Sequence, residues 1–240
     1  MSTLDVLVIA AHPDDAEISV GGSLLRWTAS GRRVGVIDLT RGEMGTRGRR
    51  EDRTREAEAA TKLLGLTVRR NLELPDGRVE ARLEARETLA RILREHRPRL
   101  VLAQHVEDLH PDHAACGVLA REAWYLSGLG RLAEIDGGPP AHRPRLLLHF
   151  AGHVPFEPTF VVDIEDFWEA KKELIRCYAT QIEPQAPGDR GEHLLFGADI
   201  LQRAETQARY WGGRIGRRFG EPLLHRGPLP MTDLLDLPCG

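Results

Sequence analysis

The chain has 240 residues, a formal net charge of -3 and 41% hydrophobic residues. This length allows one substantial α/β core, so a single domain over residues 1–240 is the expected organisation. The near balance of charge excludes bulk electrostatic attraction as a reason to bind nucleic acid.

The cysteines and the apolar runs bear on the compartment of the protein. Cys116, Cys177 and Cys239 are far apart and form no CxxC pair, which is typical of a reducing compartment rather than of a disulfide framework. Residues 1–11 carry no basic stretch followed by a long apolar one. No apolar run approaches the roughly 20 residues that a membrane span requires. We therefore expect a cytoplasmic protein with no membrane partner.

Strands and helices alternate over the first 150 residues. The strands are short apolar runs, and the helices are amphipathic segments that end near glycines. The predicted elements are strand 4–11, helix 16–30, strand 34–39, helix 51–64, a strand within 66–74, helix 81–96, strand 100–104, helix 113–125 and strand 145–150. Such alternation is typical of parallel strands joined by helices. We predict an α/β fold, a Rossmann-like three-layer sandwich with a mostly parallel sheet of order 3-2-1-4-5 plus C-terminal additions.

The second half of the chain is less regular. Residues 127–144 are rich in glycine and proline and are predicted to form a loop, as are residues 183–191. We also predict a strand at 160–164 and helices at 165–178 and 198–212.

Two short motifs follow strands that are neighbours in the predicted order. The sequence AHPDD (11–15) follows strand one, and HPDH (110–113) follows strand four. Ligands bind at the carboxyl ends of such strands. Two histidines and one carboxylate form a typical ligand set for catalytic zinc, and they would also suit Fe(II). Taken alone, HPDD could be a turn and helix cap, and HPDH could be a surface loop, but together they predict a metal site.

The two motifs resemble those of the LmbE-like or PIG-L family of zinc-dependent N-acetylglucosaminyl deacetylases. The stretches TRGEMGTRG (40–48), LPDG (74–77) and ARYWG (208–212) are similar to one branch, which acts on N-acetylglucosaminyl malate in bacillithiol biosynthesis. The resemblance extends from residue 4 to about residue 235. It implies a zinc-dependent hydrolase with a small amino-sugar substrate, assembled as a homo-oligomer.

The resemblance also implies roles for four residues around the metal. His12, Asp15 and His113 match the family's zinc ligands, and Asp14 matches its general base. Asp14 would accept a proton from a zinc-activated water that attacks the acetyl carbonyl.

The second motif implies two further site residues and one departure from the family. His110 matches a histidine that stabilises the oxyanion, and we expect it to be protonated. Asp112 matches the carboxylate beside it and is expected to orient a histidine. Relatives in the mycothiol branch carry a tyrosine two residues before the motif, where this chain has Asp108.

Arginines and a late histidine are the candidates for substrate binding. Guanidinium groups pair with carboxylates in a bidentate manner, so Arg53, then Arg47 and Arg41, are predicted to bind the malate part of the substrate. The alternative is that arginines of this stretch are solvated surface charges. His193 lies in a loop that could close over the crevice, although an exposed histidine without a role is the simpler interpretation.

Three alternatives to this function can be weighed on the same residues. A nicotinamide-dependent oxidoreductase would need a glycine-rich loop after strand one, where this chain has HPDDAEISVGG and no GxGxxG. A silent metal-binding protein would need neither Asp14 beside Asp15 nor His110 beside His113. The remaining alternative keeps the deacetylase chemistry on another N-acetylglucosamine-containing substrate, namely a chitooligosaccharide, a mycothiol precursor or an antibiotic intermediate.

Overall fold

The structure of the protein is a computed structural model, which describes residues 3–45, 47–182 and 200–230. His193, Cys239 and the predicted loop at 183–191 lie outside the described residues.

Within the described residues, strands and helices follow one another in an α/β order. The strands are β1 (Val6–Ala10), β2 (Val34–Asp38), β3 (Val68–Asn71), β4 (Leu100–Gln104), β5 (Leu146–Phe150), β6 (Phe160–Asp163) and β7 (Gly220–His225). The helices are α1 (Asp15–Ala29), α2 (Arg50–Leu64), α3 (Leu83–His96), α4 (Pro111–Ser127), α5 (Gly130–Ile135), α6 (Trp168–Arg176), α7 (Ala179–Ile182) and α8 (Ile200–Arg214).

The strands form one sheet in the order β3-β2-β1-β4-β5-β7-β6. The pairings among β1 to β5 are all parallel, whereas β7 is antiparallel to both β5 and β6. The predicted α/β class and the order 3-2-1-4-5 are confirmed. The C-terminal additions to the sheet are β7 and β6.

Helices cover both faces of the sheet, and for this reason β1 and β2 are apolar and buried at nearly every position. On one face, Ile9 of β1 belongs to the same core cluster as Leu89 of α3 and Leu119 of α4. On the other face, Val8 belongs to a cluster with Leu24 of α1 and Leu174 of α6. Successive strand residues thus serve opposite layers, as the pleat requires.

The structure differs from the prediction in four elements after residue 126. Helix α5 lies inside the stretch predicted to be a loop, and neither α7 nor β7 was predicted. The single helix expected at 165–178 is a 3-10 turn over Glu165–Phe167 followed by α6. Strand β7 has the sequence GEPLLH, in which an internal proline argues against a strand. It forms because β5 and β6 pair with it, and that pairing is a tertiary contact.

No helix in the described part of the chain is long and apolar enough to cross a membrane.

Candidate metal centre

The two motifs meet at the carboxyl ends of adjacent strands. Strand β1 pairs in parallel with β4, so the turn into α1 and the turn into α4 open on the same crevice. Helix α1 begins at Asp15, and α4 begins at Pro111, one residue after His110.

The Asp15 carboxylate is oriented by two hydrogen bonds to one of its oxygens. Its Oδ2 accepts from the backbone nitrogen of His12 at 2.8 Å and from Nε2 of Gln104 at 2.8 Å. Gln104 is itself held because its Oε1 accepts from the Ala11 amide at 2.8 Å. The other oxygen, Oδ1, lies 3.3 Å from Nε2 of His113. This arrangement leaves Oδ1 and the His113 Nε2 facing each other across the crevice.

His12 is held from behind by two carboxylates. Its Nε2 lies 3.0 Å from Oδ1 of Asp76 and 3.4 Å from Oδ2 of Asp112. Asp112 is fixed in turn by the amides of Gly77 and Val79, at 2.7 and 3.0 Å. With Nε2 occupied, the Nδ1 of His12 is the nitrogen that faces Asp15, at 3.3 Å from Oδ2.

The donor set of His12, Asp15 and His113 suits a divalent metal. Their ligand atoms lie within 4.8 Å of one another, and two imidazoles with one carboxylate match a catalytic zinc site that keeps an open position. The carboxylates behind His12 are the outer partners that metal-binding histidines commonly have.

Among the described residues, two other groups of three side chains share members with this set and also have ligand atoms within 4.8 Å of one another. Both suit a metal less well. In the group of His12, His110 and Asp112, Nε2 of His12 already contacts Asp76 and Nδ1 of His110 already accepts from the Asp112 amide. The group of Asp108, His113 and His153 is internally paired, because the Asp108 carboxylate accepts from His153.

The pKa values of the three candidate ligands favour protonated histidines beside an ionised carboxylate. Burial lowers the pKa of His113, but the carboxylates of Asp15 and Asp108 outweigh it and raise that pKa to about 9. The pKa of His12 is likewise raised well above its usual value, because contacts to Asp112, Asp15 and Asp76 outweigh burial. Burial alone would raise the pKa of Asp15, but the two histidines hold it well below its usual value. A bound metal would therefore replace protons at this site.

Asp14 adopts a strained conformation beside this cluster. Its φ is 116° and its ψ is -30°, and although it precedes α1 its side chain makes no capping hydrogen bond. The simple interpretation of this motif as a helix cap therefore does not describe Asp14. A non-glycine residue at such angles is rare and is found disproportionately at functional sites.

The side chain of Asp14 forms an ion pair with Arg53. Oδ2 of Asp14 lies 3.1 Å from Nη1 of Arg53, whose side chain is 6% exposed. Burial raises the pKa of Asp14 to about 6, although the charge of Arg53 opposes this shift. A carboxylate whose pKa lies this close to neutrality can both accept and return a proton.

His110 uses one of its ring nitrogens for a structural contact. Its Nδ1 accepts a hydrogen bond from the Asp112 amide at 3.2 Å and caps α4. In the neutral ring the proton must then be on Nε2. Burial, and next the positive charges of His12 and His113, lower the pKa of His110. The sequence predicted a protonated His110, whereas these surroundings favour a neutral ring that donates from Nε2.

The predicted substrate-binding arginines have partners within the chain. Arg53 contacts Asp14, as described, and its Nη2 donates to the carbonyl oxygen of Pro13. Arg41 forms an ion pair with Glu73, and the backbone oxygen of Arg47 accepts from Gln181 at 2.9 Å. Their roles toward substrate stay predictions.

Similarity to known sequences identifies the family of the chain. The sequence matches the PIG-L family, described as GlcNAc-PI de-N-acetylase, over residues 7–124. This segment contains both motifs and every residue of the candidate donor set. The chain belongs to the PIG-L family.

Three known proteins are similar to this chain over most of its length. A solved structure of a conserved protein from Thermus thermophilus is 36% identical, covers 97% of this chain and 99% of its own, and superposes with a TM-score of 0.82. Diacetylchitobiose deacetylase of Thermococcus kodakarensis is 29% identical over 90% of this chain and 80% of its own length. A probable N-acetyl-alpha-D-glucosaminyl L-malate deacetylase 2 of Bacillus anthracis is 28% identical over 73% of this chain and 80% of its own.

Sequence reasoning missed three residues that surround the PIG-L motifs. Asp76 belongs to LPDG, a stretch that contributed to the resemblance but indicated no role for this residue, and Gln104 is the polar last residue of the apolar strand β4. His153 follows β5, and its Nδ1 contacts Oδ1 of Asp108 at 2.8 Å. The last two lie at or just beyond the carboxyl ends of strands beside the crevice. A search for polar residues at all strand ends near the switch point would have found them.

Proposed function

We propose that the protein hydrolyses the acetamide of an N-acetylglucosamine-containing substrate and releases acetate and the free amino-sugar. The single observation that carries this proposal is the position of Asp14. It is a buried carboxylate with a pKa of about 6, directly beside a converging donor set of two histidines and one carboxylate. A binding protein would have no use for that second carboxylate.

The chain's own residues supply the proton transfers. As the oxygen of a water molecule forms a bond to the acetyl carbon, Asp14 accepts a proton from that water. His110 donates a hydrogen bond from Nε2 to the carbonyl oxygen, on which negative charge develops. Asp14 then returns its proton to the sugar nitrogen as the C–N bond breaks, so the products are acetate and the amine.

A divalent ion, for which zinc is our proposal, would be held by His12, Asp15 and His113. When bound, it would supply Lewis acidity toward the water and the acetyl carbonyl. Asp76, Asp112 and Gln104 would hold the ligands in place, because each already fixes one atom of His12 or Asp15.

Our first candidate for the substrate is N-acetylglucosaminyl malate, as in bacillithiol biosynthesis. The similarity to the Bacillus anthracis protein supports this candidate. Arg41 and Arg53 also support it, because both line a cavity of about 440 Å³ whose lining includes Pro13, the residue next to His12. Guanidinium groups there could bind the malate carboxylates.

The second candidate is diacetylchitobiose. It is favoured by the similarity to the Thermococcus deacetylase, which extends over more of this chain than the similarity to the malate deacetylase does. The ion pairs of Arg41 with Glu73 and of Arg53 with Asp14 agree with an uncharged substrate, because both guanidiniums are already compensated.

The test is acetate release by zinc-loaded protein on N-acetylglucosaminyl malate, diacetylchitobiose and free N-acetylglucosamine, with chelator-treated protein as control. We expect zinc-dependent acetate release from at least one conjugate at a higher kcat/KM than from the free sugar. Preference for the malate conjugate would support the first candidate, and preference for the disaccharide would replace it with the second. No acetate from any of the three would overturn the proposed function.

A further inference from the structure

Asp108 occupies the centre of a group of hydrogen-bond donors behind the metal site. Its side chain is only 1% exposed. Oδ1 accepts from the amide of His110 at 2.9 Å and from Nδ1 of His153 at 2.8 Å, and Oδ2 accepts from the amide of His153 at 2.8 Å. Burial would raise the pKa of Asp108, but the side chain of His113 and then these donors hold it well below its usual value. His153 thus supplies two of the hydrogen bonds that fix the carboxylate.

The same carboxylate is the nearest acceptor for the candidate ligand His113. Nδ1 of His113 is buried and has no aligned hydrogen-bond partner, and Oδ1 of Asp108 lies 3.3 Å from it. When Nε2 of an imidazole binds a cation, electron density is withdrawn from the ring and the proton on Nδ1 becomes more acidic. A carboxylate at this distance then both stabilises the ring and sets its tautomer.

His153 also contacts His113 directly. The two rings are nearly parallel, with an interplanar angle of 7° and a centroid separation of 4.9 Å. The close approach depends on Gly152, because a Cβ atom there would lie 2.4 Å from Oδ2 of Asp108 and 2.8 Å from Nδ1 of His113. The loop after β5 is therefore built to bring one histidine against both partners.

We propose that His153 is a positioning residue, which holds Asp108 and the ring of His113 so that Nε2 of His113 is directed at the metal. This inference rests on the proposed metal site and adds to it a residue from a third strand end. Asp108, at the position where the mycothiol branch has a tyrosine, then acts on the metal ligand and not on the oxyanion.

The test is the affinity of the full-length, metal-stripped protein for Zn²⁺, measured by competition with a chromophoric chelator. We expect His153→Ala to weaken zinc binding by about tenfold to a hundredfold, as is usual when an outer partner of a metal ligand is lost. His153→Asn places an amide N–H where Nδ1 was, and should recover most of the wild-type affinity. With Asp108→Ala already present, removal of His153 should cost less than it does in the wild-type protein, because part of its effect passes through that carboxylate.

His105→Ala is the matched control. His105 also lies in the loop after β4, and it packs against Phe156 in the loop after β5, but no contact joins it to Asp108 among the described residues. The His105→Ala substitution should leave zinc affinity unchanged. Unchanged zinc affinity in folded His153→Ala, or an equal loss of affinity in the Ala and Asn variants, would overturn the inference. Failure of the wild-type protein to bind zinc would instead overturn the proposed metal site.

Discussion

The guanidinium of Arg53 lies against the carboxylate of Asp14, with 3.1 Å between Nη1 and Oδ2. Both side chains are largely buried, and Arg53 also holds the carbonyl oxygen of Pro13 in the same turn. The arginine therefore stabilises the strained backbone of the turn and the charge of its carboxylate at once. This contact changes what substitution of Arg53 is expected to do.

Arg53→Ala should lower kcat on every substrate, including free N-acetylglucosamine, which has no carboxylate. A hydrogen bond to a charged group contributes about 1.5–3 kcal/mol, so the loss should be about tenfold to a hundredfold. Steady-state kinetics on the malate conjugate and on the free sugar measure this directly. Arg55→Ala, in an exposed ion pair with Asp52 on the same helix, is the control. An increase in KM for the malate conjugate alone would instead make Arg53 a malate-binding residue.

Asp14→Asn should abolish most turnover and leave the metal in place. The amide keeps the size of the side chain but cannot accept the proton, and loss of a general base typically costs about a hundredfold to ten-thousandfold in rate. Bound metal per chain, measured by elemental analysis, should stay near the wild-type value. Asp15→Asn is the matched comparison and should lose metal affinity. Loss of metal from the Asp14 variant would make Asp14 a ligand and not a base.

The sequence was sufficient for the five parallel strands β1 to β5 and for both motifs, because each of these signals is local. Strand β1 is a continuous apolar run, and AHPDD follows it directly. Asp76 and His153 could not be assigned in this way, since they lie 64 and 45 residues from the partners that give them a role. Only the assembled sheet brings them to the crevice.

The buried carboxylate of Glu221 should be a major determinant of stability. Helix α1 is kinked at Val20, and the amides of Gly22 and Ser23 beyond the kink donate to Glu221 at 2.8 and 2.7 Å. Glu221 also forms a buried ion pair with Lys171 at 2.6 Å.

Glu221→Gln would leave the Lys171 ammonium without its counter-charge, and breaking a buried pair in this way costs about 3–5 kcal/mol. Urea unfolding of the metal-free protein should show that decrease in the free energy of unfolding. Glu205→Gln, in an exposed pair with Arg209, should change it by less than about 1 kcal/mol. Equal effects of the two substitutions would contradict the capping and pairing role of Glu221.

Zinc affinity should increase with pH through the neutral range. In the metal-free protein the pKa of His113 is about 9 and that of His12 is also raised, so both rings carry protons near pH 7. Zinc must displace those protons, and each displaced proton should strengthen binding by about tenfold per pH unit until the pH reaches the pKa of the ring. Chelator competition at pH 6, 7 and 8 measures this slope.

His142→Ala is the control, because His142 lies outside the site and its Nε2 is hydrogen-bonded to the carbonyl oxygen of Pro98. This variant should keep the wild-type slope. A zinc Kd that does not change from pH 6 to pH 8 would mean that neither histidine is protonated in the free site. The electrostatic description of His12 and His113 would then be wrong.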